Sequence, residues 1–112
     1  MAFQTITPAD LGQAGIPTTV GILYTVPVGV RALLKDIDIA NNTASDIKVT
    51  VYKVPPGGTV DPLGNVLIPN MTVPAFGVLQ WTGTQVLKEG GRIEMVASAI
   101  GCTISASGGE AT

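Results

Sequence analysis

The sequence predicts an all-β protein, a single antiparallel β-sandwich that is jelly-roll-like and has about eight short strands. Fourteen glycines and eight prolines in 112 residues disfavour long helices. Apolar residues recur at every second position in several short segments, which is the period of a strand with one buried face. Turn-forming residues separate these segments. A chain of this length is also the size of one domain.

The N-terminal segment, residues 1–16, is predicted to form an arm or a short strand ahead of the domain. The side chains alternate over residues 3–7, and residues 10–17 have the composition of a loop. Residues 18–26 then carry an apolar side chain at every second position up to Val26, which predicts a strand that ends at Pro27.

The next predicted strand, residues 30–41, contains a shift in its alternation. Its apolar face resumes at Ile37, three residues after Leu34 rather than two. Such a slip is typical of a β-bulge, in which one strand carries an extra residue. We expect the bulge at Lys35 and Asp36.

The rest of the chain alternates between short strands and turns. Residues 41–45 have the composition of a turn and precede the most regular amphipathic strand, residues 47–52. A Pro/Gly-rich excursion over residues 56–76 includes a short apolar piece, and further strands are predicted at residues 77–81, 85–88, 92–98 and 102–106. The sandwich domain is therefore assigned to residues 17–106, and the small, polar residues 107–112 to a flexible C-terminal tail.

Three Val-Pro pairs, beginning at Val26, Val54 and Val73, are each followed by glycine within four residues. Proline has no N–H for a central ladder, and glycine adopts the backbone angles that tight turns require. Repeated peptide ligands are the alternative interpretation. Because each pair borders a strand pattern, we predict that all three are corners between strands.

Charged residues are scarce. Asp, Glu, Lys and Arg make up 12% of the chain, against roughly 25% in an ordinary soluble domain, and residues 62–87 carry no charge at all. Large exposed apolar areas usually mark interfaces, so we expect much of the surface to be buried against other protein. The residues expected at such an interface are Phe3, Ile6, Tyr52, Val66, Ile68 and Phe76.

The sequence offers little for catalysis. It has no histidine, the commonest general base and zinc ligand. Cys102 lies in an alternating apolar run and is predicted to be a buried hydrophobe rather than a nucleophile. Asp36, Asp38 and Asp46 could offer oxygens to Ca²⁺, but lysines nearby can pair with them and no loop has the ligand density of a calcium site. We therefore expect no enzyme activity, no catalytic residue, no cofactor and no metal.

Other partner classes are disfavoured too. The six basic residues are scattered, so there is no electrostatic footprint for nucleic acid. Prolines interrupt every apolar run before it reaches the length of a membrane span, and the N-terminus lacks the features of a secretory signal. The single cysteine agrees with synthesis in a reducing cytoplasm.

A carbohydrate-binding module would expose several aromatic rings on one platform. Trp81 instead shares a strand face with Leu79, which favours packing in the core. Only Tyr52 is expected near a ligand or an interface.

Residues 23–42 (LYTVPVGVRALLKDIDIANN), 47–55 (IKVTVYKVP) and 86–93 (VLKEGGRI) resemble small all-β virion structural proteins of tailed bacteriophages. The resemblance spans about residues 20–105. It implies a non-enzymatic capsid decoration or cement protein that binds the major capsid protein, associates with itself, as a homotrimer, and sits on the capsid surface after synthesis in the host cytoplasm. A tail or fibre module and a free carbohydrate-binding module are the alternatives, and position in the head or the tail stays open.

Overall fold

The computed structural model describes residues 6–61 and 63–112. It contains eight β-strands and confirms the predicted all-β class. The strands are β1 (Ile6–Gly15), β2 (Gly21–Thr25), β3 (Arg31–Asn41), β4 (Ile47–Val54), β5 (Val66–Val73), β6 (Val78–Leu87), β7 (Arg92–Ala97) and β8 (Cys102–Ala111).

The strands form two four-stranded antiparallel sheets, in the orders β1-β8-β3-β6 and β2-β7-β4-β5. From β1 to β6 the chain changes sheet at every step except between β4 and β5, and then β7 lies between β2 and β4 and β8 between β1 and β3. This order is that of a jelly roll, an eight-stranded double sheet. The edge strands are β1 and β6 in the first sheet, and β2 and β5 in the second.

The core lies between the sheets and is built by alternation. In β3, Leu34, Ile37 and Ile39 are completely buried, and in β8, Cys102 and Ile104 face the same layer. Both ladders of β3 shift register between Leu34 and Asp36, which confirms the predicted bulge. The bulge restores the inward direction of Ile37, because the unpaired extra residue changes the face on which the later side chains lie.

Three segments differ from the sequence-based expectation. Residues 10–15, expected in a loop, belong to β1, which pairs with β8 through a bulge between Asp10 and Gly12. Residues 78–87 form one strand, not two, because β6 keeps pairing with β3 on both sides of a register shift, with Thr82 opposite Asp36 and Gln85 opposite Leu34. The expected flexible tail is wrong for residues 107–111, which complete β8 and are paired with both β1 and β3. Small polar residues suit this position because the neighbouring backbones approach closely there.

The three Val-Pro pairs lie at turns, as predicted. In each, the N–H of a fourth residue bonds the proline C=O three positions earlier: Val30 to Pro27, Gly58 to Pro55 and Gly77 to Pro74. Two turns lie at the end where β3 begins, and the third joins β5 to β6 at the opposite end. Strand pairing therefore places the third repeat apart from the other two.

Candidate interaction surface

The open side of the sandwich between β5 and β6 is built from residues without charge, and two lysines of neighbouring strands, Lys35 and Lys53, reach it by donating to Thr84 and Gln85. Residues 66–87 comprise β5, a turn at residues 74–77, and β6, and we call this region the uncharged edge. Each of its strands is the outermost of its sheet and pairs on one side only within the described chain. The predicted uncharged segment thus becomes one continuous side of the molecule.

An apolar cleft of about 180 Å³ lies in the uncharged edge. Leu79 and Trp81 of β6 pair with Ile39 and Ile37 and so share their inward face, but they are only half-buried because β6 is an edge strand. Across the opening, β5 supplies the other wall. The cleft is lined by Leu67, Ile68, Pro69, Met71, Leu79, Gln80 and Trp81.

Large apolar side chains project from the uncharged edge. Phe76 is 70% exposed, Val78 63%, and Met71 45%. Ile100, in the neighbouring turn between β7 and β8, is 80% exposed. Scattered exposed apolar residues are normal on a protein surface, but a group without charges along one edge indicates a contact surface.

The turn that presents Phe76 is held in place by the loop at residues 42–46. The Phe76 N–H donates to the Thr43 carbonyl over 3.0 Å, and the Ala75 N–H donates to Asp46 Oδ1 over 3.0 Å. Gly77 adds a second connection, because its carbonyl accepts from the Asn41 N–H over 2.9 Å. The exposed ring therefore stands on a fixed backbone rather than on a free loop.

Asn41 organises this end of the molecule. Its side chain is buried and donates to the carbonyls of Ser45 (2.7 Å) and Val73 (3.1 Å). Its Oδ1 accepts from the backbone N–H (3.0 Å) and the hydroxyl (2.7 Å) of Thr43. Sequence analysis placed Asn41 at the junction of a strand and a turn but could not identify its bonding role, since that role depends on Val73, a residue 32 positions away.

Not all of the predicted interface residues are exposed on the surface of the described chain. Phe3 lies outside the described residues. Ile6 is 64% exposed, and Phe76 lies in the uncharged edge with the half-buried Val66. The expectation for Ile68 is corrected, because its side chain is 4% exposed and belongs to the core.

Tyr52 also requires a correction. Alternation places it on the outer face of β4, as predicted, but only 7% of its surface is exposed. It pairs with Glu94 of β7, another outward residue that is buried, and Arg92 forms a 2.9 Å ion pair with Glu94. Arg92 also donates to the Gly58 carbonyl over 2.6 Å. The excursion after β4 is thereby tied to this face, an interaction between distant segments that alternation cannot reveal.

The described residues hold no group of three or more His, Cys, Asp or Glu side chains placed to bind a metal ion. Asp46, a candidate calcium ligand, instead accepts from the Ala75 N–H. Cys102 is 2% exposed, and burial raises the pKa of its thiol, which disfavours the nucleophilic thiolate. Over the same part of the chain, no helix has the length and apolar character needed to cross a membrane.

No protein-family model and no curated protein matches this chain. Among solved structures, it is similar to a chain from the structure of infectious bursal disease virus, Gx strain, with a TM-score of 0.52 and 12% identity over 96% of this chain and 31% of that one. A chain from the Gt strain structure gives a TM-score of 0.47 and 9% identity, over 96% and 32%. The protein thus spans about a third of the solved chains it matches. At this identity the likeness shows the fold alone.

Proposed function

We propose that this protein is a non-enzymatic structural component of a bacteriophage virion, a decoration or cement protein that binds the assembled capsid shell. The observation that carries the proposal is the complete jelly roll, which matches part of a chain from a virus structure along 96% of this sequence. A fold does not by itself define a function. The resemblance of residues 23–42, 47–55 and 86–93 to phage virion proteins supports the same role.

The uncharged edge supports a role in binding protein. Its exposed side chains include the large apolar groups of Met71, Phe76 and Val78, and the described part of the chain brings together no cluster of groups for metal chemistry. The proposed partners are the major capsid protein and further copies of this chain, assembled as a homotrimer on the capsid surface after synthesis in the host cytoplasm.

The mechanism is thermodynamic linkage. A protein that binds the assembled shell but not its free subunits stabilises the shell by the free energy of binding, about 2.7 kcal/mol per site when its free concentration is 100 times Kd. No bond is made or broken. The bound protein has only to contact two neighbouring capsid subunits at once. A rigid sandwich with an apolar edge is suited to such a contact.

The experiment adds purified protein to capsid shells that lack it and measures co-sedimentation and the shell melting temperature. We expect binding and a higher melting temperature. Val78→Lys should weaken binding because it places a charge on the uncharged edge, whereas Val28→Lys, the same change at the opposite end on an 86% exposed residue, should not. Wild-type protein that neither sediments with shells nor alters their melting would overturn the proposal.

Copy number in purified particles separates this role from that of a tail or fibre module. A shell protein is expected in hundreds of copies and a tail-tip protein in few. Among the described residues, the two rings considered for a carbohydrate platform are not openly exposed, since Tyr52 is buried and Trp81 is half-buried in the cleft. Retention of wild-type protein on a glycan column would favour that alternative.

A further inference from the structure

Four turns of this chain share one geometry and differ at one residue. Each is closed by a hydrogen bond from the fourth N–H to the first carbonyl, and each has a positive φ at its third position, the pattern of a type II turn. In three of them the third residue is glycine: Gly29 (φ 78°), Gly57 (φ 73°) and Gly90 (φ 83°). In the fourth it is Phe76, with a φ of 51°.

Phenylalanine at this position is unfavourable for the isolated chain. A non-glycine residue with positive φ carries a conformational cost that glycine avoids. The ring does not recover this cost by packing, because Phe76 is 70% exposed. The hydrogen bonds to Thr43 and Asp46 nevertheless hold the turn in place. A strained, exposed aromatic on a rigid support indicates an anchor for a partner surface.

We propose that Phe76 of one copy inserts into the β5–β6 cleft of a second copy. The cleft volume of about 180 Å³ suits a phenyl ring, since apolar cavities of about 150 Å³ bind benzene. Leu67, Met71, Leu79 and Trp81 supply apolar and aromatic contacts, and Gln80 is the polar member of the lining. The same chain therefore carries both the inserted ring of Phe76, which we call the knob, and the cleft that receives it.

Charge distribution favours a second copy as the occupant. When identical surfaces meet, a charged side chain approaches a copy of its own surface, and like charges in such a contact are costly. The cleft and the Phe76 turn bring little such repulsion, because residues 62–87 contain no charged side chain and the lysines that reach this edge, Lys35 and Lys53, donate to Thr84 and Gln85, which do not line the cleft. This contact would be the interface through which the protein self-associates in the proposed function. Its role in a virion rests on that proposed function.

Two symmetries satisfy the contact. Around a two-fold axis, both copies exchange Phe76 reciprocally, whereas a head-to-tail arrangement uses each knob and cleft once per neighbour and closes into a ring such as a trimer. The mass of the oligomer distinguishes the two. Either symmetry buries a ring that is exposed in the single chain.

The test measures molar mass by light scattering and Kd by analytical ultracentrifugation at micromolar concentrations. Wild-type protein is expected to form a closed oligomer. Phe76→Gly and Phe76→Ala should each weaken association at least about 30-fold, the effect of an interface hot spot. Met71→Lys should do the same by placing a charge at the cleft, whereas Val28→Lys should retain the wild-type mass. Cooperative thermal unfolding confirms that each variant is folded.

Mixing the variants gives the decisive result. Phe76→Gly retains the cleft but lacks the knob, and Met71→Lys retains the knob but has a blocked cleft. Each variant alone should associate at least about 30-fold more weakly than the wild type, and their mixture should form a one-to-one complex more tightly than either variant self-associates. A monomeric wild type, an unchanged mass for Phe76→Gly, or a mixture that stays monomeric would overturn the contact.

If Phe76 variants lose shell binding while the wild type is monomeric, the ring docks on the shell instead. Loss of shell binding by a protein that still oligomerises overturns only the proposed function.

Discussion

Replacing Asn41 with alanine should destabilise the fold by about 3.5 kcal/mol, because the amide makes four hydrogen bonds that alanine cannot replace. The bond to the Val73 carbonyl is buried, and leaving that acceptor unpaired costs about 2 kcal/mol. The bonds to Ser45 and Thr43 are partly exposed. Water can replace them, so each contributes only about 0.5 kcal/mol.

The assay is urea unfolding followed through the fluorescence of Trp81, the only tryptophan, together with thermal unfolding. A loss of this size corresponds to a fall in Tm of roughly 15 °C for a chain of this length. Asn42→Ala is the matched control: its side chain is exposed, and the variant keeps the backbone N–H that bonds Gly101. Its effect should stay within about 0.5 kcal/mol.

A result in which Asn41→Ala and Asn42→Ala are equally stable would refute the reasoning. It would mean that the buried amide adds nothing beyond what water supplies and that the turn bearing Phe76 is held independently of Asn41. An intermediate loss of about 1.5 kcal/mol would place the Val73 carbonyl in contact with solvent in the variant.

Three further predictions concern other parts of the fold. Gly108→Ala should cost at least about 2 kcal/mol because its Cβ would collide with the backbone of β3, whereas Gly15→Ala, with open space around it, should be nearly neutral in urea unfolding. Burial and the 2.6 Å hydrogen bond to Glu110 raise the pKa of Tyr24. The stabilisation that Tyr24 contributes should therefore be fully present below its unfolded-state pKa of about 10 and be lost as the pH rises above that value. Melting temperatures of Tyr24→Phe should lack this part of the pH dependence. Cys102 should resist a thiol reagent in native protein and react on denaturation, and rapid labelling under native conditions would contradict its burial.

Much of the fold can be predicted from local pattern. Alternation identified the strand around residues 47–52 and the inward face of Cys102 and Ile104, because a side-chain period of two depends only on backbone geometry. The slip between Leu34 and Ile37 identified the bulge for the same reason. The absence of charge over residues 62–87, read directly from the sequence, singled out the segment that becomes the uncharged edge.

The tertiary structure decided which of these patterns meet. Tyr52 and Ile68 both looked suitable for an interface, but Tyr52 is buried beside Glu94 and Ile68 lies in the core. Pairing with β1 and β3 gives residues 107–111 an extended structure that their composition does not favour. The sequence by itself determined the class of fold, the bulge and the charge-free segment, since these follow from neighbours along the chain. Only the tertiary structure brought the cleft together and fixed the Phe76 turn: β5 and β6 lie in different sheets and are placed by pairing with β4 and β3, and the turn is held by Thr43 and Asp46, about 30 residues away.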